Sequence, residues 1–110
     1  MVYQKMIEVE KVSVIADFEK TVEEKQNGER TEKRELYSVN GTVFLVINKN
    51  TFEMRSDVKL AKLLREKYES VMESRYFGRG GIEIVDVGQL NDDEVADLIR
   101  LSYNLSKDMA

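Results

Sequence analysis

The spacing of apolar and polar residues changes period several times along this chain, and each change predicts an element. Near the start, Ile7, Val14, Phe18 and Val22 fall at helical spacing, while Glu8-Val9-Glu10 and Val12-Ser13-Val14 alternate like a strand. The first twenty residues are read as a helix, with a strand as the alternative. Residues 23–35 hold nine charged side chains and little to bury, which predicts a mobile connection or the exposed end of that helix, stopped at Asn27-Gly28. From Leu36 to Ile47 the pattern is β. Asn40-Gly41 stands between two apolar runs, the preferred pair for a two-residue type I′ turn. Thr42 to Ile47 is nearly all apolar and predicts a central strand covered on both faces. Asn48-Lys49-Asn50 turns into a short strand, Thr51 to Arg55, which completes a three-stranded antiparallel meander.

The second half reads as helix, loop, strand, helix. Ser56 or Asp57 caps a helix expected to run to about Met72, with Leu60, Leu64, Tyr68, Val71 and Met72 along one stripe. Lys62–Glu66 and Arg65–Glu69 stand at i,i+4 on that helix. Arg75 to Gly81 is a loop, and Ile82 to Val87 is a strand ended by Gly88. Asn91 and Glu94 have the spacing of a capping box, with Leu90 and Val95 as its hydrophobic staple. The helix so started runs from Asn91 to Ser106, with Val95, Leu98, Ile99, Ser102 and Leu105 on one face. The fold expected is α+β: an antiparallel sheet of about four strands packed against two or three helices, in a single domain spanning residues 1–110.

Composition narrows the chemistry. The 110 residues contain no Cys and no His, which excludes disulfides, thiolate chemistry and imidazole acid–base catalysis. Any catalysis would rest on carboxylates, Lys, Tyr or Ser, so the chain is read as a non-enzyme without cofactor or metal. No apolar run is long enough to span a bilayer, and the first residues lack a signal-peptide core, which predicts a cytoplasmic protein without a membrane partner. The net charge of −4 is uneven: residues 49–79 carry eight basic and five acidic side chains, and residues 80–110 carry two and seven.

One loop stands out as a candidate binding site. Arg75, Tyr76, Phe77, Arg79 and Gly80 combine donors, stacking faces and a backbone open to close approach, a set suited to phosphate or base contact. The structural alternative is a turn shaped by its glycines and anchored by an aromatic ring. Lys59 and Lys62 can extend a basic strip from the preceding helix towards this loop, or be an ordinary solvated face. A pI near 5.0 argues against strong non-specific DNA binding. Asp86, Asp92, Asp93, Glu94 and Asp97 form an acidic cluster, which capping and the helix dipole already explain.

Several segments together resemble the MmcQ/YjbR family, which has a frataxin-like (CyaY-like) α+β fold. They are Val39 to Ile47 with Phe44, Leu60-Ala61-Lys62-Leu63-Leu64-Arg65, Ser74-Arg75, and Leu98-Ile99-Arg100-Leu101-Ser102-Tyr103. The resemblance spans residues 36–106 and leaves 1–35 as a variable N-terminal region. The chain departs from the family pattern at Arg79-Gly80-Gly81-Ile82, where relatives carry Lys-x-His-Trp, and it has no Pro. The resemblance implies DNA binding or a regulatory role. Two readings of function are therefore carried forward. One is a non-catalytic binding or regulatory module contacting nucleic acid or protein through Arg75–Gly81. The other is a protein-interaction or self-associating domain, monomer or homodimer, using a sheet face or edge.

Overall fold

The structure, a computed structural model, describes residues 17–85 and 90–109. Its elements are β1 (Glu19–Asn27), β2 (Arg30–Val39), β3 (Thr42–Ile47), β4 (Thr51–Arg55), α1 (Val58–Lys67), β5 (Val71–Ser74), β6 (Gly78–Val85) and α2 (Asp92–Met109). The strands form one antiparallel sheet in the order β1-β2-β3-β4-β6-β5, with both helices on one face. The α+β class holds, but the sheet has six strands rather than four.

The two extra strands come from segments whose hydrophobic pattern is weak or ambiguous. Residues 19–27 form β1, not the end of a helix, and residues 23–35 belong to a β1–β2 hairpin rather than a mobile connection. Only Gly28 has positive φ in its two-residue turn, the type II′ pattern. Cross-strand charge pairs take the place of burial along its outer half: Arg34 donates to Glu23 at 2.7 and 2.9 Å, and Lys33 lies 3.6 Å from Glu24. The helix expected over residues 1–16 lies outside the described residues.

The other new strand is β5. Helix α1 ends at Lys67, not Met72, because Tyr68 leaves it with extended φ and ψ while its amide still bonds to the Leu64 carbonyl. Val71 then pairs with Ile84 across to β6. The fourth strand of the sequence reading is thus β6, and it begins at Gly78 rather than Ile82. The Lys62–Glu66 and Arg65–Glu69 pairs do not form among the described residues; Glu69 lies beyond the helix.

The local signals hold. Asn40 and Gly41 both have positive φ, as a type I′ turn requires. Asp57 accepts from the Lys59 and Leu60 amides as the N-cap of α1. The Asn91–Glu94 capping box forms reciprocally at 2.9 and 3.2 Å, with Leu90 and Val95 buried as its staple. Helix α2 extends beyond Ser106, to Met109.

A β-bulge fixes how α2 sits. Tyr37 pairs with Leu45 but Ser38 pairs with Val43, so Phe44 is an extra residue on β3. Phe44 and Leu45 both join the core under the helices. Beyond Leu45–Met54, where β3 and β4 stop pairing, the Ser102 hydroxyl bridges the two strands. It donates to the Phe44 carbonyl at 2.6 Å and accepts from the Arg55 amide at 2.8 Å. One turn on, Ser106 accepts from Arg55 Nε at 3.1 Å. Two serines in the core are therefore bonded into the sheet.

Candidate functional site

Alternation along β4 and β6 separates two environments. Met54 and Ile82 point into the helix-covered core, and so do Phe52 and Ile84. Glu53 and Glu83 lie between them, are paired across the strands, and so face the opposite side. Both are buried, at 2% and 1% exposure. A buried carboxylate is costly unless its oxygens are hydrogen-bonded, and the candidate loop supplies much of what they need. Glu53 accepts from Ser74 Oγ at 2.8 Å, the Tyr76 amide at 2.9 Å and Asn48 Nδ2 at 2.8 Å. Glu83 accepts from Arg75 Nε at 3.0 Å, Arg75 Nη2 at 2.7 Å and Thr51 Oγ1 at 2.7 Å. Burial alone would raise the Glu83 carboxyl; the hydrogen bonds from Arg75 and Thr51 outweigh it and hold the group below the usual carboxylate range. The hydrogen bond to Glu83 raises the Arg75 guanidinium in turn.

The loop residues therefore play different parts. Arg75 binds Glu83 through two guanidinium nitrogens, although its side chain is exposed. Tyr76 is exposed, with the Arg34 guanidinium 5.3 Å from its ring centre. Phe77 lies edge-on to Tyr76 and beneath Arg55, and its amide donates to Ser74 Oγ at 2.8 Å. Gly81 makes this packing possible, since a Cβ there would stand 2.4 Å from the Phe77 Cβ. The Gly80 carbonyl accepts from the Ser56 amide at 2.8 Å. Arg79 is exposed and has no ion pair among the described residues.

Lys59 and Lys62 are exposed on α1, on the other side of the sheet from Arg75. The sheet separates these two groups of candidates, so they do not form one basic strip. Asp86 lies outside the described residues; among those described, no group of three acidic or imidazole side chains converges as a metal site. No helix among the described residues is long and apolar enough to cross a membrane.

A second feature went unread in the sequence. Between α1 and α2 runs a groove lined by Leu60, Leu98, Leu101 and Leu105, with Met54 and Ile82 in its floor. Tyr68 at the end of α1 donates to Glu94 at the start of α2 at 2.9 Å, while Asp57 at the start of α1 shares the groove with Leu105 near the end of α2. The helices are thus antiparallel neighbours. Leu63 on α1 and Leu101 on α2 remain 63% and 51% exposed. Leu63 falls off the Leu60–Leu64 stripe, which is the one signal that could have marked it. No protein-family model, curated protein or solved structure matches this chain.

Proposed function

We propose that this chain is a non-catalytic protein-interaction module whose contact surface is the outer side of its two-helix layer. The observation that carries this reading is the pair of exposed leucines, Leu63 and Leu101, on the two helices that wall one apolar groove. Exposed aliphatic residues beside an apolar groove mark a contact site more often than scattered ones do. The alternatives have less support. Arg75, one of the two arginines of the loop, is occupied by Glu83, and the α1 lysines face away from it across the sheet. Of the two sheet edges among the described residues, β1 carries Lys and Glu along its length, a pattern that discourages strand addition.

Site-specific photo-crosslinking tests the reading. A photoreactive residue at position 63 or 101 should yield protein adducts in the cells that make this chain. Positions 22 and 72, exposed apolar sites on β1 and β5, should not. Equal adducts from all four positions, or none from 63 and 101, would overturn it.

A further inference from the structure

We infer that the Arg75–Glu83 ion pair is an acid-released clasp: a proton on Glu83 frees the Arg75 guanidinium and loosens the Ser74–Phe77 loop while the sheet beneath stays folded. Each residue of that loop is tied to one of two buried carboxylates. Ser74 Oγ and the Tyr76 amide donate to Glu53, and the Phe77 amide donates to Ser74 Oγ. Arg75 donates to Glu83 through Nε and Nη2. The remaining contacts are the Phe77 ring against Gly81 and Arg55 and the Tyr76 ring against Arg34, and none of these involves a carboxylate.

Neutral Glu83 cannot keep its two-point pair with Arg75. Oε1 accepts from Arg75 Nε, while Oε2 accepts from Arg75 Nη2 and Thr51 Oγ1. A proton on either oxygen removes the charge that strengthens both guanidinium bonds. The new O–H needs an acceptor, which a guanidinium lacks and the Thr51 hydroxyl supplies by turning about its C–O bond. The carboxyl therefore keeps Thr51 and lets Arg75 go.

Burial makes this exchange a cheap one. Glu83 is 1% exposed, which favours its neutral form once the partner has left. The Arg75 side chain is 75% exposed, so its guanidinium enters water without crossing the protein. The other charges nearby are acidic: Glu53 lies across from Glu83 on β4, and Glu53 and Glu32 both add to the field that holds Arg75. On β5 the residue facing Glu83 is the neutral Met72. Acid weakens all of the attraction on Arg75 in one direction. With the Glu83 carboxyl held below the usual range, the clasp is closed at neutral pH and opens as the pH falls through that lower value.

Hydrogen exchange of the full chain, read by NMR as protection factors at pH 7 and at about pH 3, tests this. The Tyr76 amide should lose at least about tenfold of its protection in acid, while the Leu45 and Ile84 amides in the central strands keep theirs. The Arg75 Nε–H signal should pass into fast exchange with water over the same range. Glu83→Gln preserves the side-chain volume and does not titrate. In it Tyr76 should already be weakly protected at pH 7 and lose little more in acid. Arg75→Gln opens the clasp from its exposed side and should behave alike even where Glu83→Gln fails to fold, which circular dichroism detects. A wild-type loop that keeps its protection until the sheet itself unfolds would overturn the inference. So would a folded variant whose Tyr76 amide follows the wild-type pH profile, since the loop would then be held by Glu53 and Phe77 without Arg75.

Discussion

The two faces of the sheet reach the same degree of burial by different physics. On the helix side, Leu45, Met54 and Ile82 form a cross-strand row that excludes water by packing alone. One residue along, Val46, Glu53 and Glu83 form a row on the opposite face that is just as withdrawn from solvent, yet two of its three members are carboxylates. Packing tolerates any side chain of suitable volume, whereas a buried carboxylate requires donors at fixed places. Asn48, Thr51, Ser74, Arg75 and the Tyr76 amide supply those donors. The apolar row holds the helices that carry the proposed contact surface. The polar row holds the loop whose composition first suggested a binding site. A loop rich in Arg, aromatics and Gly can owe that composition to the groups beneath it.

The sharpest way to break the comparison is to cut into each row. Ile84→Ala removes a fully buried side chain from the apolar face and should cost about 2–5 kcal/mol, read as a fall in the urea midpoint at constant slope. Arg75→Ala cuts the polar row and leaves Glu83 without its charged partner. Breaking a buried pair costs more than breaking a surface one, but the Arg75 side chain is 75% exposed and water can enter, so about 1–2 kcal/mol is expected. If Arg75→Ala left the midpoint unchanged, the loop would not be anchored through Glu83.

Acid separates the rows further, because only one of them titrates. The Glu83 carboxyl is held below its unfolded value of about 4.3, so its contribution is present above that pH and is lost as the pH falls through the lower, folded value. In Arg75→Ala the opposing effect of burial is left to dominate, and the sign reverses: the carboxyl is then raised, and the variant should recover stability relative to wild type on acidification. Urea midpoints for both proteins at pH 7 and at about pH 4 should therefore converge. A gap that widens in acid would contradict the assignment. Ile84→Ala, with no charge involved, should show a pH-independent difference.

How much of this was legible depended on whether the determinants were local. The Asn40-Gly41 turn, the Asp57 cap and the Asn91–Glu94 box each lie within four residues of their partners, and all three were readable. Strand β5 was not, since Val71 and Met72 follow Tyr68 at spacings that also continue a helix. What decides against the helix is the Val71–Ile84 pairing with β6. The candidate loop was visible in composition, but its role was not. Glu53 and Glu83 read as ordinary outward positions of alternating strands, and only the β4–β6 register places them together beneath Arg75 and Tyr76. The apolar groove depends on two helices meeting across the sheet, which no single stretch of sequence records.

Strand β1 is the limiting case, since its outer half has neither kind of burial, and it gives the smallest predicted effects. Residues 19–26 are all exposed, and Val22 is 54% exposed, so the strand has no apolar stripe to detect. Its register is held instead by Glu23–Arg34, Glu24–Lys33 and Lys20–Glu35. Lys33→Ala removes a pair that is more than 60% exposed on both sides and should change stability by less than about 0.5 kcal/mol, an effect erased by added salt. Arg34→Ala should cost somewhat more, about 0.5–1 kcal/mol, because its guanidinium also lies over the Tyr76 ring, a contact that salt weakens less. Amide hydrogen exchange gives the same ranking without mutation: β1 should open at lower free energy than β3 or β6, whose side chains form the buried rows. A Lys33→Ala variant as destabilised as Ile84→Ala would mean that the hairpin is integral to the core, and that charge pairing has been mistaken for surface decoration.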